Sequence, residues 1–282
     1  MRQALAAGVV TALVCAVMSF FVYLRRLPHA TSGIAHGAFG GVALGLLLGW
    51  GPLPAAMTTA LALAGLVGYL SRRGGVAHDS TTGILSTTAM AAGVIAVGLR
   101  RGYVPDLAGF MFGSLLTSRP GDLRLMVVAG TVIVVATAVT FRQLLLIAFD
   151  PPAAEAAGLP VAFFDYLLLA MIAVAVVLAV RLLGVILAGT MMIAPAATGY
   201  QLARGYRGML AWGIVVGVGT TVAGLATAFY LDLPPGATIT LWAAMCFALA
   251  CGIAPARGAL RQWLGRIIAY LGRLSAKGQR YS

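Results

Sequence analysis

His36 lies between Ile34-Ala35 and Gly37, and of the three histidines it is the only one well inside a long apolar run. An ionisable group at that depth in a bilayer is expensive, which makes it a candidate for a ligand, a relay or a transport path. Neutral imidazole is the commonest ligand of transition-metal ions, and it can also hydrogen-bond one helix to another, so residue type alone leaves both roles open. Ser32, four residues earlier, could pair with His36 as nucleophile and base, yet no Gly-x-Ser-x-Gly elbow frames it. His29 and His78 stand beside charges at the ends of apolar runs and read as solvated. Cys15, Cys246 and Cys251 lie in apolar segments without metal-type spacing and read as small buried hydrophobes.

The elements that must hold these residues are set by composition. The chain has 61% hydrophobic and 9% charged residues, against about 45–50% and about 25% in a soluble domain, so a water-soluble fold is excluded. A spanning helix needs roughly 20 largely apolar residues. Nine such crossings are expected, at about 4–24, 32–50, 53–71, 80–99, 125–141, 164–181, 182–203, 208–230 and 236–254. The first is too long for the apolar part of a signal peptide, about 7–15 residues. The stretch 105–117 is too short to cross and suits a re-entrant or interfacial helix. The fold class is therefore all-α: a polytopic transmembrane bundle of 8 to 9 spanning helices with one short accessory helix. A transmembrane domain is expected over 1–256, followed by a basic cytoplasmic tail over 257–282, whose Trp263, Ile267, Ile268 and Leu271 suit contact with anionic lipids.

The net charge of +12 does not point to nucleic acid, because the basic residues sit at the ends of apolar runs. Such placement orients spans. With the N-terminal end outside, 13 of the 19 Lys and Arg fall inside, including Arg25, Arg26, Arg72, Arg73 and the six of the tail. The seven acids, Asp79, Asp106, Asp122, Asp150, Glu155, Asp165 and Asp232, all lie in loops or at run ends. A proton-coupled carrier usually needs an acid deep in the membrane, so energy is expected to come from an ATPase. No Gly-x4-Gly-Lys-Ser/Thr loop is present, which places any ATPase on a separate chain.

Two local patterns stand out. Gly33, Gly37, Gly41, Gly45 and Gly49 recur every four residues, forming a strip without side chains along which another backbone can come very close, either for packing alone or as a seam that moves. The longest inside loop, 142–163, holds Asp150-Pro151-Pro152, which reads as an N-cap followed by proline in the first turn, and Gly158, which reads as the residue just past a helix end. A short capped helix is expected there, lying parallel to the membrane as a docking element.

These residues, in this order, resemble the zinc/manganese permease family of bacterial ABC importers. The resemblance runs from Arg25-Arg26-Leu27 through Ile34-Ala35-His36 and Gly41–Gly49 to Asp79-Ser80-Thr81-Thr82-Gly83-Ile84. It continues through Phe112-Gly113-Ser114, through Asp150, Ala154 and Gly158, through Met192-Ile193-Ala194-Pro195-Ala196-Ala197-Thr198, and through Asp232-Leu233-Pro234-Pro235-Gly236. It implies a permease in the bacterial cytoplasmic membrane that passes zinc or manganese from an extracytoplasmic metal-binding protein to the cytoplasm. It also implies a second permease copy, identical or related, and a cytoplasmic ATP-binding subunit that meets Asp150, Ala154, Glu155 and Gly158. No tightly bound cofactor is implied. His36 and the residue four before it would face the ion path, with Pro195 and the glycine strip serving packing or gating. The family usually has Asp where this chain has Ser32. A siderophore or cobalamin permease is the nearest rival, and an intramembrane hydrolase a distant one.

Overall fold

The computed structural model describes residues 2–73, 78–99 and 120–253. Regular structure among them is helical: α1 Arg2–Leu24, α2 Pro28–Leu48, α3 Pro52–Arg73, α4 His78–Leu99, α5 Pro120–Val139, α6 Phe141–Phe149, α7 Pro151–Ala156, α8 Val161–Met191, α9 Ala194–Leu202, α10 Tyr206–Leu231 and α11 Pro235–Ile253. Eight spans among the described residues are long and apolar enough to cross a membrane, or nine when α5 and α6, bent by 63° at their junction, form one crossing. The expected short helix at 105–117 and the tail at 257–282 lie outside the described residues.

Local sequence explains most boundaries. Proline opens α2, α3, α5, α7 and α11, where its missing N–H costs nothing. Gly49 ends α2 in the left-handed region at φ 72, its N–H bonded to the Gly45 carbonyl. Inside α8, Gly184 takes φ 83 and ψ 165, which breaks the helix where the sequence divides two crossings. That combination is nearly closed to residues with a Cβ.

The stretch 142–163, expected to be one loop, begins instead as α6. Its Leu144 and Ile147 are buried, and Phe141 packs on Phe20 and Phe21 with ring centroids 6.0 and 5.5 Å apart. That apolar face outweighs the polar Arg142-Gln143 pair, so only α7 and its flanks remain as a connection.

The first arm of α8 runs through the middle of the bundle between α1, α2 and α3. Ile172, Ala173, Val176 and Ala179 are almost wholly enclosed there. Against lipid the hydrophobic effect adds little between helices, so close backbone approach does the holding. A methyl on Gly40 would strike the Ala89 carbonyl, and one on Gly93 would come within 2.6 Å of the Gly40 Cα. Similarly, a methyl on Gly224 would meet Ile239 at 2.6 Å, which closes α10 on α11.

Charge collects at one end of the bundle. Arg25, just past α1, forms an ion pair with Asp165 near the start of α8 and donates a second hydrogen bond to the Ile147 carbonyl at 2.8 Å. Arg72 at the end of α3 approaches the other Asp165 oxygen at 4.0 Å. One carboxylate thus gathers α1, α3, α6 and α8 beside α7.

Candidate functional site

Ser32 and His36 lie one turn apart on α2 and line two adjoining cavities. The first, about 350 Å³, is completed by Phe39 of α2, Met90 of α4, and Val185, Gly189, Thr190 and Ile193 around the broken part of α8. The second, about 250 Å³, runs toward the end of the bundle that carries Arg25 and is bordered by His29, Asp79, Thr82, Ser86, Thr87 and Met90. Ser32, His36 and Met90 border both, so the two cavities form one track along the groove between α2 and α4, apolar-walled at the α8 break apart from Ser32, His36 and Thr190, and richer in hydroxyls toward His29.

The imidazole of His36 is exposed to this space, and its Nδ1 lies 2.8 Å from the Ser32 carbonyl. A carbonyl oxygen only accepts, so Nδ1 carries a proton, and in the neutral ring the lone pair that could meet a cation lies on Nε2. The fold thus fixes both tautomer and ring orientation with a backbone group. Ser86 donates to the Gly83 carbonyl at 3.2 Å, and Thr87 donates to it at 2.7 Å, so both hydroxyls keep their oxygens as acceptors. Among the described residues no three His, Cys, Asp or Glu gather as a metal site. Thus the track offers single nitrogens and oxygens in succession, an arrangement an ion can leave as well as enter.

The glycine strip faces inward. Gly33 abuts Thr82 and Ser86 of α4, Gly37 abuts Leu63 of α3, Gly41 abuts Thr59, and Gly45 abuts Ala55. A methyl on Gly49 would meet nothing within 4 Å, and the residue serves as the helix end. Gly40 and Gly93, off the four-residue row, make the closest backbone approach in the α2–α4 contact. Pro195 is buried at the start of α9 and meets α10 through Gly213 and Gly217. Thr190 lines the first cavity, whereas Met191 and Met192 are fully buried and Thr198 donates to Ala194.

Around α7, the Asp150 carboxylate accepts the Ala153 N–H at 3.0 Å. Gly158 has φ 79, and the Leu159 N–H returns to the Ala154 carbonyl at 3.1 Å. Ala154 is fully buried against Ile147 and Val161, while Pro151, Pro152, Ala153, Glu155, Ala156, Ala157 and Gly158 are exposed. One methyl pins the helix to the bundle and the rest of its surface is open.

Sequence reasoning passed over Met90, Asp79 and His29 as parts of the track. A signal was available: Thr82, Ser86 and Met90 recur every four residues on one face of α4, whose first half, His78–Thr88, is rich in hydroxyl side chains.

A bundle of membrane-crossing helices with a half-polar groove beside a broken helix defines a transport permease. The chain belongs to the ABC 3 transport family, whose model matches residues 1–254. It is 33% identical over 267 residues to the manganese transport system membrane protein MntC of Halalkalibacterium halodurans, covering 94% of this chain and 91% of that one. It is 29% identical over 247 residues to the high-affinity zinc uptake system membrane protein ZnuB of Haemophilus influenzae, covering 87% of this chain and 94% of that one. The solved structure of PsaBC from Streptococcus pneumoniae in complex with Fab superposes with a TM-score of 0.81 at 30% identity, covering 93% of this chain and 94% of that one. This is a multi-pass bacterial membrane protein.

Proposed function

We propose that this chain is the membrane-spanning subunit of an ATP-driven importer for a divalent transition metal, manganese or zinc. The observation that carries the reading is His36, whose Nε2 is kept free for a cation beside a track of hydroxyls at a helix break, in a chain of the ABC 3 transport family. The names of the relatives support a bare divalent ion over a siderophore or cobalamin. An intramembrane hydrolase finds no support, because His36 directs its Nδ1–H at the backbone of residue 32.

In this reading an extracytoplasmic metal-binding protein delivers the ion, two permease copies enclose the path, and a separate ATP-binding subunit supplies the energy. The exposed face of α7, with Asp150, Glu155 and Gly158, meets that subunit, and Ala154 conveys its motion to α6 and α8 through Ile147 and Val161. The end carrying Arg25 is cytoplasmic, consistent with the excess of Lys and Arg there. Ions then travel from the cavity at the α8 break toward His29 and Asp79.

The test is reconstitution of the permease with the ATPase and binding protein encoded beside it. ATP-dependent accumulation of radioactive manganese or zinc is expected. Accumulation of a ferric siderophore or cobalamin, with neither metal taken up, overturns the reading.

A further inference from the structure

We propose that His29 and Asp79 form a second ion station, on the Arg25 side of His36, through which the transported metal leaves the membrane. This rests on the metal-importer reading above and adds a site to it. The register of two helices places the pair. Gly33 abuts Thr82 and Ser86, Gly37 reaches Ala89, and Gly40 abuts Ala89 and Met90, so α2 and α4 run parallel and advance together. One turn back from Gly33 is His29, and three residues back from Thr82 is Asp79, so the two stand level in the first turns of their helices. Both border the same cavity of about 250 Å³ that reaches up to His36.

The separation decides what the pair can do. Seven residues at 1.5 Å rise put His29 about 10 Å from His36 along α2, too far for one ion to bind both. Asp79 therefore does not replace the carboxylate missing at Ser32; it supplies a negative charge one step further on. Between the two levels lie Ser32 and the hydroxyls of Ser86 and Thr87, which line the cavity and whose protons are committed to a backbone carbonyl, leaving their oxygens as acceptors. The upper level offers one imidazole, whereas the lower level adds the carboxylate of Asp79 to an imidazole. That charge gives a divalent cation leaving His36 a place to pause, and the lower station, open to solvent, returns the ion to water.

Asp79 could also serve simply to favour the start of α4. Asparagine keeps a side-chain oxygen suited to a helix start but removes the charge, so Asp79→Asn separates the two roles. In the reconstituted complex, Asp79→Asn is expected to lower maximal manganese uptake on the order of tenfold, the scale on which ligand charge tunes divalent-ion sites, at unchanged abundance and elution profile. Asp79→Glu is expected to restore most of it, and His29→Ala to lower uptake in the same direction. Electron paramagnetic resonance of added Mn2+ reads binding directly: the purified complex carrying His36→Ala is expected to keep a weak Mn2+ signal that Asp79→Asn removes. Wild-type uptake in Asp79→Asn overturns the station, as does equal loss in Asp79→Asn and Asp79→Glu. If the wild-type complex takes up neither manganese nor zinc, it is the importer reading that falls.

Discussion

Single atoms decide the chemistry of the track. The Ser32 carbonyl holds the Nδ1–H of His36 and so leaves Nε2 as the nitrogen that would meet an ion in the proposed path, which gives the backbone of residue 32 a role whatever its side chain. The side chain sets charge: a hydroxyl holds a divalent ion far more weakly than a carboxylate, so the level of Ser32 and His36 is a light grip. We expect His36→Ala to abolish metal uptake without lowering membrane abundance. Ser32→Asp is expected to retain transport and to tighten binding of Mn2+, measured by its resonance signal on the purified complex. Normal uptake in His36→Ala would reduce the residue to a hydrogen-bonding element and turn attention to Thr190 at the far wall of the cavity. His36 was visible in the sequence because it is the one histidine deep in an apolar run. His29 and Asp79 are exposed, as expected of residues at helix starts, but that they border one cavity was not visible, because the register of α2 on α4 sets it.

Elements convert those atoms into a path. The side-chain-free strip of α2 is wrapped by α3 and α4 of the same chain, so its glycines are engaged in packing that sets the α2–α4 register. The seam proposed from the sequence is thus an internal one for Gly33, Gly37, Gly41 and Gly45, while Gly49 terminates the helix. At the other end α7 is held by the Asp150 cap, the buried Ala154 methyl and the left-handed Gly158. Left-handed backbone costs an L-residue about 1–2 kcal/mol, and a β-branched side chain fits it worst. We expect Gly158→Val to disturb the exit of α7 and to uncouple ATP hydrolysis from metal uptake while the complex stays assembled. Parallel assays of phosphate release and uptake on one preparation read this. Wild-type coupling in that variant would mean that α7 is not the docking element.

Across the whole molecule, the same carboxylate of Asp165 meets Arg25 and Arg72, tying the ends of α1 and α3 to α8 beside the base of α7. Ile147 packs on Ala154 of α7 and its carbonyl also holds Arg25, so α7 and the end of α1 meet at one residue. The proposed docking of an ATP-binding subunit on α7 would put the Arg25 end in the cytoplasm, and orientation is open to direct measurement. A cysteine replacing Ala157, exposed beyond α7, is expected to resist an impermeant thiol reagent in intact cells and to react once the membrane is opened. Labelling of intact cells would invert the bundle and with it the direction of transport.

Composition and apolar run length by themselves determined that this chain is a bundle of crossing helices, and they placed the breaks at the Gly and Pro signals, because a bilayer demands long apolar segments with satisfied backbones. The Asp150 cap and the Gly158 stop were equally legible, since both rest on interactions within a few residues. Only the tertiary structure decided that residues 141–149 are helix, because Leu144 and Ile147 are buried and Phe141 packs on Phe20 and Phe21, partners more than a hundred positions away. It alone showed which helix each glycine faces, and that His29, Ser32 and His36 share a groove with Asp79, Thr82, Ser86 and Met90. That juxtaposition depends on how two helices slide along one another. The Gly40–Gly93 contact fixes their register, and it is a pairing between distant positions that leaves no periodic mark in either helix read alone.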